Sequence, residues 1–370
     1  DGTETTYING AAISLTASGR IGGSSAITFD GEAGTFNAAY TAAMDVDIGT
    51  GNLTCSQTGA GGNVQVREVN GALNTNKIFL TQSDGAVGLG NQIAIIAAGG
   101  ESLGSAGNLN WIKININATL VDDFTGTDDN VFLAAVGGSA LGDTANLVSI
   151  SQALNSADSG RTLTIVSDRN GTSANGFSQV NISAATAFNG IITLVSTGND
   201  TDGPDRVLIN ATTTSSAGSI TIKSHLDVVV GASGSLSAPT AGQAISITAD
   251  AETDAGSNGT ITINNNISTN GGAITISGHV INQAAGTINS ANGPIAFTAE
   301  AAAGGGITQQ SGAIITAGTG AITIDSNDAA ISLSGAITST NTGTALTIQD
   351  ATTVAFAGTI TISHAAGDMK

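Results

Sequence analysis

The sequence predicts an all-β chain wound as a right-handed parallel β-helix of about 12 to 15 coils. Three observations carry that expectation: a short Ile-Thr-Ile phrase recurs, glycine fills 51 of 370 positions, and aromatic and charged residues stand at only 3% and 10%. Glycine is then at about twice ordinary usage and charge well below the typical ~25%, which excludes a coiled coil or a helix-rich enzyme. A hydrophobic share of 40% and a mean hydropathy of +0.21 separate the chain from disordered sequences, which are poor in apolar residues.

The strand grammar begins near the N-terminus with Ile13-Ser14-Leu15, Ile27-Thr28-Phe29, Val46-Asp47-Ile48, Val64-Gln65-Val66, Ile78-Phe79-Leu80 and Ile93-Ala94-Ile95. From about residue 99 to 218 the spacing loosens and acidic residues accumulate, so longer loops or a lateral insertion are expected there. Within that stretch, residues 144–157 fit a short helix or a strand equally well. The most regular repeats occupy 219–362: Ile220-Thr221-Ile222, Ile245-Ser246-Ile247, Ile261-Thr262-Ile263, Ile274-Thr275-Ile276, Ile295-Ala296-Phe297, Ile322-Thr323-Ile324, Ile331-Ser332-Leu333, Leu346-Thr347-Ile348 and Ile360-Thr361-Ile362.

Each phrase alternates large, small, large, the period-two pattern of a half-buried strand with isoleucine inward and threonine outward. The first residues advance from 220 to 245, 274, 295, 322 and 346, in steps of 25, 29, 21, 27 and 24. Ile261, Ile331 and Ile360 fall between these as further strands of a coil. Pieces such as Asn270-Gly271-Gly272 and Gly304-Gly305-Gly306 supply the corners, where positive φ is needed. The whole chain, 1–370, is expected to form a single solenoid.

Charge and cysteine content exclude several function classes. Nine basic against 28 acidic residues give a net charge of −19, which disfavours nucleic acid and anionic lipid surfaces. Cys55 is the only cysteine, so disulfides within the chain and cysteine-rich zinc sites are excluded. No lysine lies in a phosphate-binding P-loop frame, and no apolar run is long enough to span a membrane as a helix. The chain opens at Asp1 without a leader, as expected of a processed chain or a segment of a longer one.

With these phrases in view, the sequence resembles the β-helical surface proteins of bacteria, of the filamentous-haemagglutinin and large repetitive adhesin type. The likeness is loose over the whole chain and good over 219–362. The N-P-N-L and N-P-N-G-I signatures of the family's secretion domain are absent, the only prolines being Pro204, Pro239 and Pro294. The resemblance implies an extracellular or cell-surface structural or adhesive role, and no catalytic residue to carry over. The implied partners are a second copy stacked head to tail, flanking segments of the same chain, or surface glycans and proteins.

The candidate sites are few. In Asn199-Asp200-Thr201-Asp202-Gly203-Pro204-Asp205, Asp200, Asp202 and Asp205 alternate around a glycine turn as a calcium loop requires, although an EF-hand's distal glutamate is missing. Calcium is the one cofactor the sequence suggests, against the plainer reading of a solvated acidic turn; Asp122, Asp123, Asp128 and Asp129 form a weaker cluster. A polysaccharide lyase or hydrolase would need its charged residues among Arg161, Asp168, Arg169, Asp205 and Arg206, a set read more simply as solvated turns. His225, His279 and His364 follow their isoleucine phrases at similar offsets and read as turn residues, with His225 and His279 two coils apart in one column. Phe and Trp, including Trp111, are too scattered along the sequence for a stacking platform. The threonines from Thr221 to Thr361 suggest a minor alternative, ice binding, although Ser246 and Ala296 interrupt that ladder.

Overall fold

The computed structural model describes residues 8–10, 12–30, 35–47, 52–57, 62–69, 78–82, 92–97, 112–113, 130–136, 145–150, 153–156, 160–168, 177–198, 205–250, 259–300, 304–362 and 368–369. The chain divides into two compact units, 1–205 and 206–370. Each is a parallel β-solenoid, and the described residues include no α-helix.

In the second unit every coil contributes three strands. The first face runs through Arg206–Ile209, Asp227–Val230, Thr260–Ile263, Val280–Gln283 and Gly306–Gln309, then the later halves of the long strands Ile322–Leu333 and Thr344–Phe356. The second face runs from Thr212–Ser215 to Ile360–Ile362. The third carries Ile220–Ser224, Ile245–Ala249, Ile274–Gly278, Ile295–Ala299 and the earlier halves of the two long strands.

The register reproduces the repeat. Ile220, Ile245, Ile274, Ile295, Ile322 and Leu346 are Cα partners in one continuous column on the third face. Ile261 and Ile331 belong to the first face and Ile360 to the second. Apart from Ile360 of the last coil, which is half-buried, the isoleucines in these columns are buried and the intervening threonines half-buried or exposed, because side chains alternate across a strand and only one side faces the lumen.

The corners use glycine for closeness as much as for φ. A Cβ on Gly272 would collide with the carbonyl of Gln243, one on Gly293 with Gly272, and one on Gly320 with Gly293. Successive corners therefore stack backbone on backbone. A hydroxyl three residues earlier holds the same turns: Ser215 Oγ donates to Gly218 O at 2.6 Å, Thr269 Oγ1 to Gly272 O at 2.6 Å and Ser290 Oγ to Gly293 O at 2.5 Å. Composition exposed the glycines; this Ser/Thr-x-x-Gly pattern was missed.

The first unit has a parallel series Ile8–Asn9, Met44–Asp47, Val64–Glu68, Gln92–Ala97, Asn130–Val136, Leu163–Asp168 and Ile192–Thr197. Seven described strands here and seven on the first face of the second unit agree with the expected 12 to 15 coils. The segment 144–157, open between helix and strand on sequence, holds the strands Ala145–Ile150 and Leu154–Ser156. A lateral element was expected within 99–218; the one described lies earlier, at 20–43, and most of 99–129 lies outside the described residues.

Candidate functional site

Asp205 is the one member of the acidic turn among the described residues; Asp200 and Asp202 lie outside them. Its side chain is fully buried, and Oδ1 accepts the backbone N–H of Ser178 at 2.5 Å. Gly198 lies so close that a Cβ there would collide with the carboxylate. Asp205 thus acts as a peg that joins two backbone segments. Among the described residues no three metal-ligating side chains converge.

The other charged candidates are likewise engaged structurally. Asp168 accepts the hydroxyl of Thr197 at 2.6 Å, across adjacent strands paired in register. Arg161 is buried, and its backbone carbonyl occupies the place a side chain at Gly190 would need. Arg169 and the cluster 122–129 lie outside the described residues, and Arg206 falls in the second unit. Asp168 thus binds a hydroxyl of the neighbouring strand, whereas Asp205 binds the backbone of Ser178. Beside Asp205 lies a buried serine knot that residue spacing does not announce, in which Ser178 Oγ donates to Ser167 O at 2.6 Å and lies 3.0 Å from Ser196 Oγ.

His225 and His279 are both buried corner residues. The pairings Ser224 with Ala249 and Gly278 with Ala299 put His225, Asp250, His279 and Glu300 at the same corner of four successive coils. The histidines are two coils apart, as expected, and His364 and Trp111 lie outside the described residues. Glu300 is pushed up to about 7, first by burial and then by a hydrogen bond to Asp250 and that residue's charge. Only folding brings these carboxyls together, so sequence distance concealed them.

The most elaborate arrangement lies on the first unit's outer surface. Ile21 bridges to Val64 in parallel, its N–H donating to Asn63 O at 2.9 Å while its carbonyl accepts from Gln65 N at 2.8 Å. Beyond it, side-chain amides act as strand partners. Gln65 accepts Gly23 N–H at 3.0 Å and donates to Ser25 O at 2.9 Å; Gln92 accepts Ile27 N–H at 2.7 Å and donates back to Ile27 O at 2.8 Å. The strap so held continues through a short antiparallel pair, Phe29–Asp30 with Thr35–Phe36, and a 3-10 turn at Ala38–Ala42.

This strap packs onto a buried outward cluster that includes Ala94, Ile96, Phe132, Ala134, Val166 and Val195. Its aromatics, scattered in sequence, gather in space: the Phe36 ring lies 4.7 Å from Phe29, 4.5 Å from Tyr40 and 6.1 Å from Phe132 between centroids. The expectation of dispersed aromatics is corrected here, although their faces are spent on one another. Arg67 makes two bonds to Asp45, at 2.6 and 2.8 Å, and lies 4.9 Å from the Tyr40 ring centroid. The hydrogen bond to Asp45 raises the Arg67 pKa, and burial raises that of Tyr40. Cys55 is buried and its thiol is pushed up to about 12 by burial, which leaves it inert as a nucleophile.

No family model matches the chain, and neither the curated proteins nor the solved structures contain a match.

Proposed function

We propose that this protein is an extracellular structural or adhesive β-solenoid of the cell surface, not an enzyme, which extends by stacking coil on coil with a second copy or with flanking segments of its own chain. The carrying observation is the coil at 351–362. Val354 and Phe356 continue core columns that are buried at Ile331 and Leu333, yet they are 41% and 49% exposed. A parallel edge with its core columns open accepts another strand, because unpaired N–H and C=O groups and apolar side chains are satisfied together. The expected partners beyond this stacking are surface glycans or proteins, with no role for nucleic acid or membrane insertion.

Sedimentation velocity of the purified chain tests this. Concentration-dependent association, abolished by Val354→Asp with Phe356→Asp, supports stacking on a second copy; identical monomeric behaviour of both chains removes that partner and leaves only flanking segments of the same chain. Turnover of an acidic polysaccharide, lost in Asp168→Asn, would replace the reading with the lyase or hydrolase alternative. Calcium binding by Asp200, Asp202 and Asp205 belongs to the same proposal: millimolar calcium should raise the melting temperature, and Asp202→Asn should abolish the rise. A melting temperature unchanged by calcium or chelator would leave an acidic turn.

One observation favours a second reading, ice binding. On the second face Thr214, Ser237, Ser268, Asn289, Thr316, Thr338 and Thr361 form one outward column in register, every member able to hydrogen-bond. A thermal hysteresis assay decides it, and a freezing point equal to the melting point removes it.

A further inference from the structure

Inside the second unit one column carries two side-chain amides. Ile263, Gln283, Gln309 and Leu333 are successive Cα partners, and both glutamines are 1% exposed. Their amide nitrogens are fully used. Gln283 Nε2 donates to Gly286 O at 3.2 Å and to Ile314 O at 2.9 Å; Gln309 Nε2 repeats the pattern one coil on, to Ala313 O at 3.4 Å and Ala336 O at 3.2 Å. Each therefore ties a corner of its own coil to the corner of the next.

Those bonds fix the amide orientation, since a flipped group would set its oxygen against two carbonyls. They also leave no hydrogen for a direct amide-to-amide bond, because a primary amide has only two. The Oε1 atoms of Gln283 and Gln309 are both buried, and no donor among the described residues reaches either. Two orphaned acceptors in adjacent coils would be costly, and native proteins avoid that with ordered water.

We propose that one water molecule is bound between the side-chain carbonyls of Gln283 and Gln309 and donates a hydrogen to each, making this rung a built water site in the solenoid core. The geometry suits it. Strands ~4.8 Å apart carry two equivalent oxygens at about that separation, and a water ~2.8 Å from both would see them at an angle of about 118°, close to its own bond angle. The water completes a polar lock on register: a coil slipped by one residue would strand both amides and the water.

The test is a crystal structure at a resolution that shows ordered solvent, with a double-mutant cycle of Gln283→Leu and Gln309→Leu in urea unfolding. Leucine suits the site, since Leu333 fills the next position of the column. Density for one water within hydrogen-bond reach of both oxygens is the expected result. The double variant should then lose less in midpoint than the two singles summed, because they share a partner. A dry gap, a protein donor on either oxygen, or strictly additive shifts would overturn the proposal. So would a wild-type midpoint that changes when sodium is exchanged for potassium or choline at equal ionic strength, which would assign the site to a cation. The density needs no variant, so a failure of the leucine chains to fold leaves the test intact.

Discussion

Replacing Ile276 and its neighbour Thr275 by alanine, one at a time, separates lumen from surface within a single strand. Ile276 is fully buried between its register partners Ile247 and Phe297, whereas Thr275 is exposed. Ile276→Ala removes three carbons; at ~0.8 kcal/mol each the transfer loss is about 2.4 kcal/mol, and the cavity raises the expected cost to ~3 kcal/mol. Thr275→Ala loses only exposed surface and some strand preference, under ~1 kcal/mol. Hydrogen-exchange mass spectrometry over peptides 245–299 reads the difference locally, which matters because a chain of two units need not unfold in one step. A ~3 kcal/mol loss corresponds to exchange faster by roughly two orders of magnitude in Ile276→Ala, against less than about tenfold in Thr275→Ala. Equal effects, or a larger one from Thr275→Ala, would show that the strand is not held in this frame, since a slip of one residue exchanges the two faces.

Two further substitutions probe the corners. Gly293→Ala should cost well over ~1 kcal/mol and lower the melting temperature, because its Cβ would meet the Gly272 backbone, whereas Gly312→Ala, at φ +88 with open space around it, should cost only about the ~1 kcal/mol of a left-handed residue; equal losses would contradict close stacking. For Glu300, a carboxyl raised from 4.5 to about 7 binds its proton more tightly when folded. Its contribution is therefore full below the unfolded value and is lost as pH rises through the folded one. Glu300→Gln should gain melting temperature relative to wild type between about pH 4.5 and 7, and a constant difference over that range would mean that burial and Asp250 do not raise the Glu300 carboxyl.

The second unit was legible because its signal is local. Each Ile-Thr-Ile phrase carries its own inward and outward positions, and the spacing from Ile220 to Leu346 alone defined a column that the register reproduces. The strap at 20–43 was hidden because its partners are distant in sequence: Gln92 grips Ile27 across 65 residues. Nothing in a lone glutamine announces that it will stand in for a strand. The outward positions Ile96, Phe132 and Val166 blurred alternation for the same reason, being apolar only because the strap covers them. Gln283 and Gln309 look like surface residues in sequence, and only the register turns them into the core. Composition displays the charge of Asp205 but not its direction, so the bond from its buried carboxylate to the Ser178 N–H emerges only in the fold.

Disulfide trapping measures the stacking itself. Thr275 and Ala296 are Cα partners in successive coils, ~4.8 Å apart and so within the 4.4–6.8 Å span of a disulfide, whereas Thr275 and Thr298 are offset by two residues, ~8 Å, which is too far. The native Cys55, buried with its thiol raised to about 12, should stay out of the exchange. Under mild oxidation the chain carrying Thr275→Cys and Ala296→Cys should cross-link internally, with the bridge found by peptide mass, while the chain carrying Thr275→Cys and Thr298→Cys should remain reduced. Cross-linking of the second pair but not the first, or of neither, would contradict coils stacked in this register.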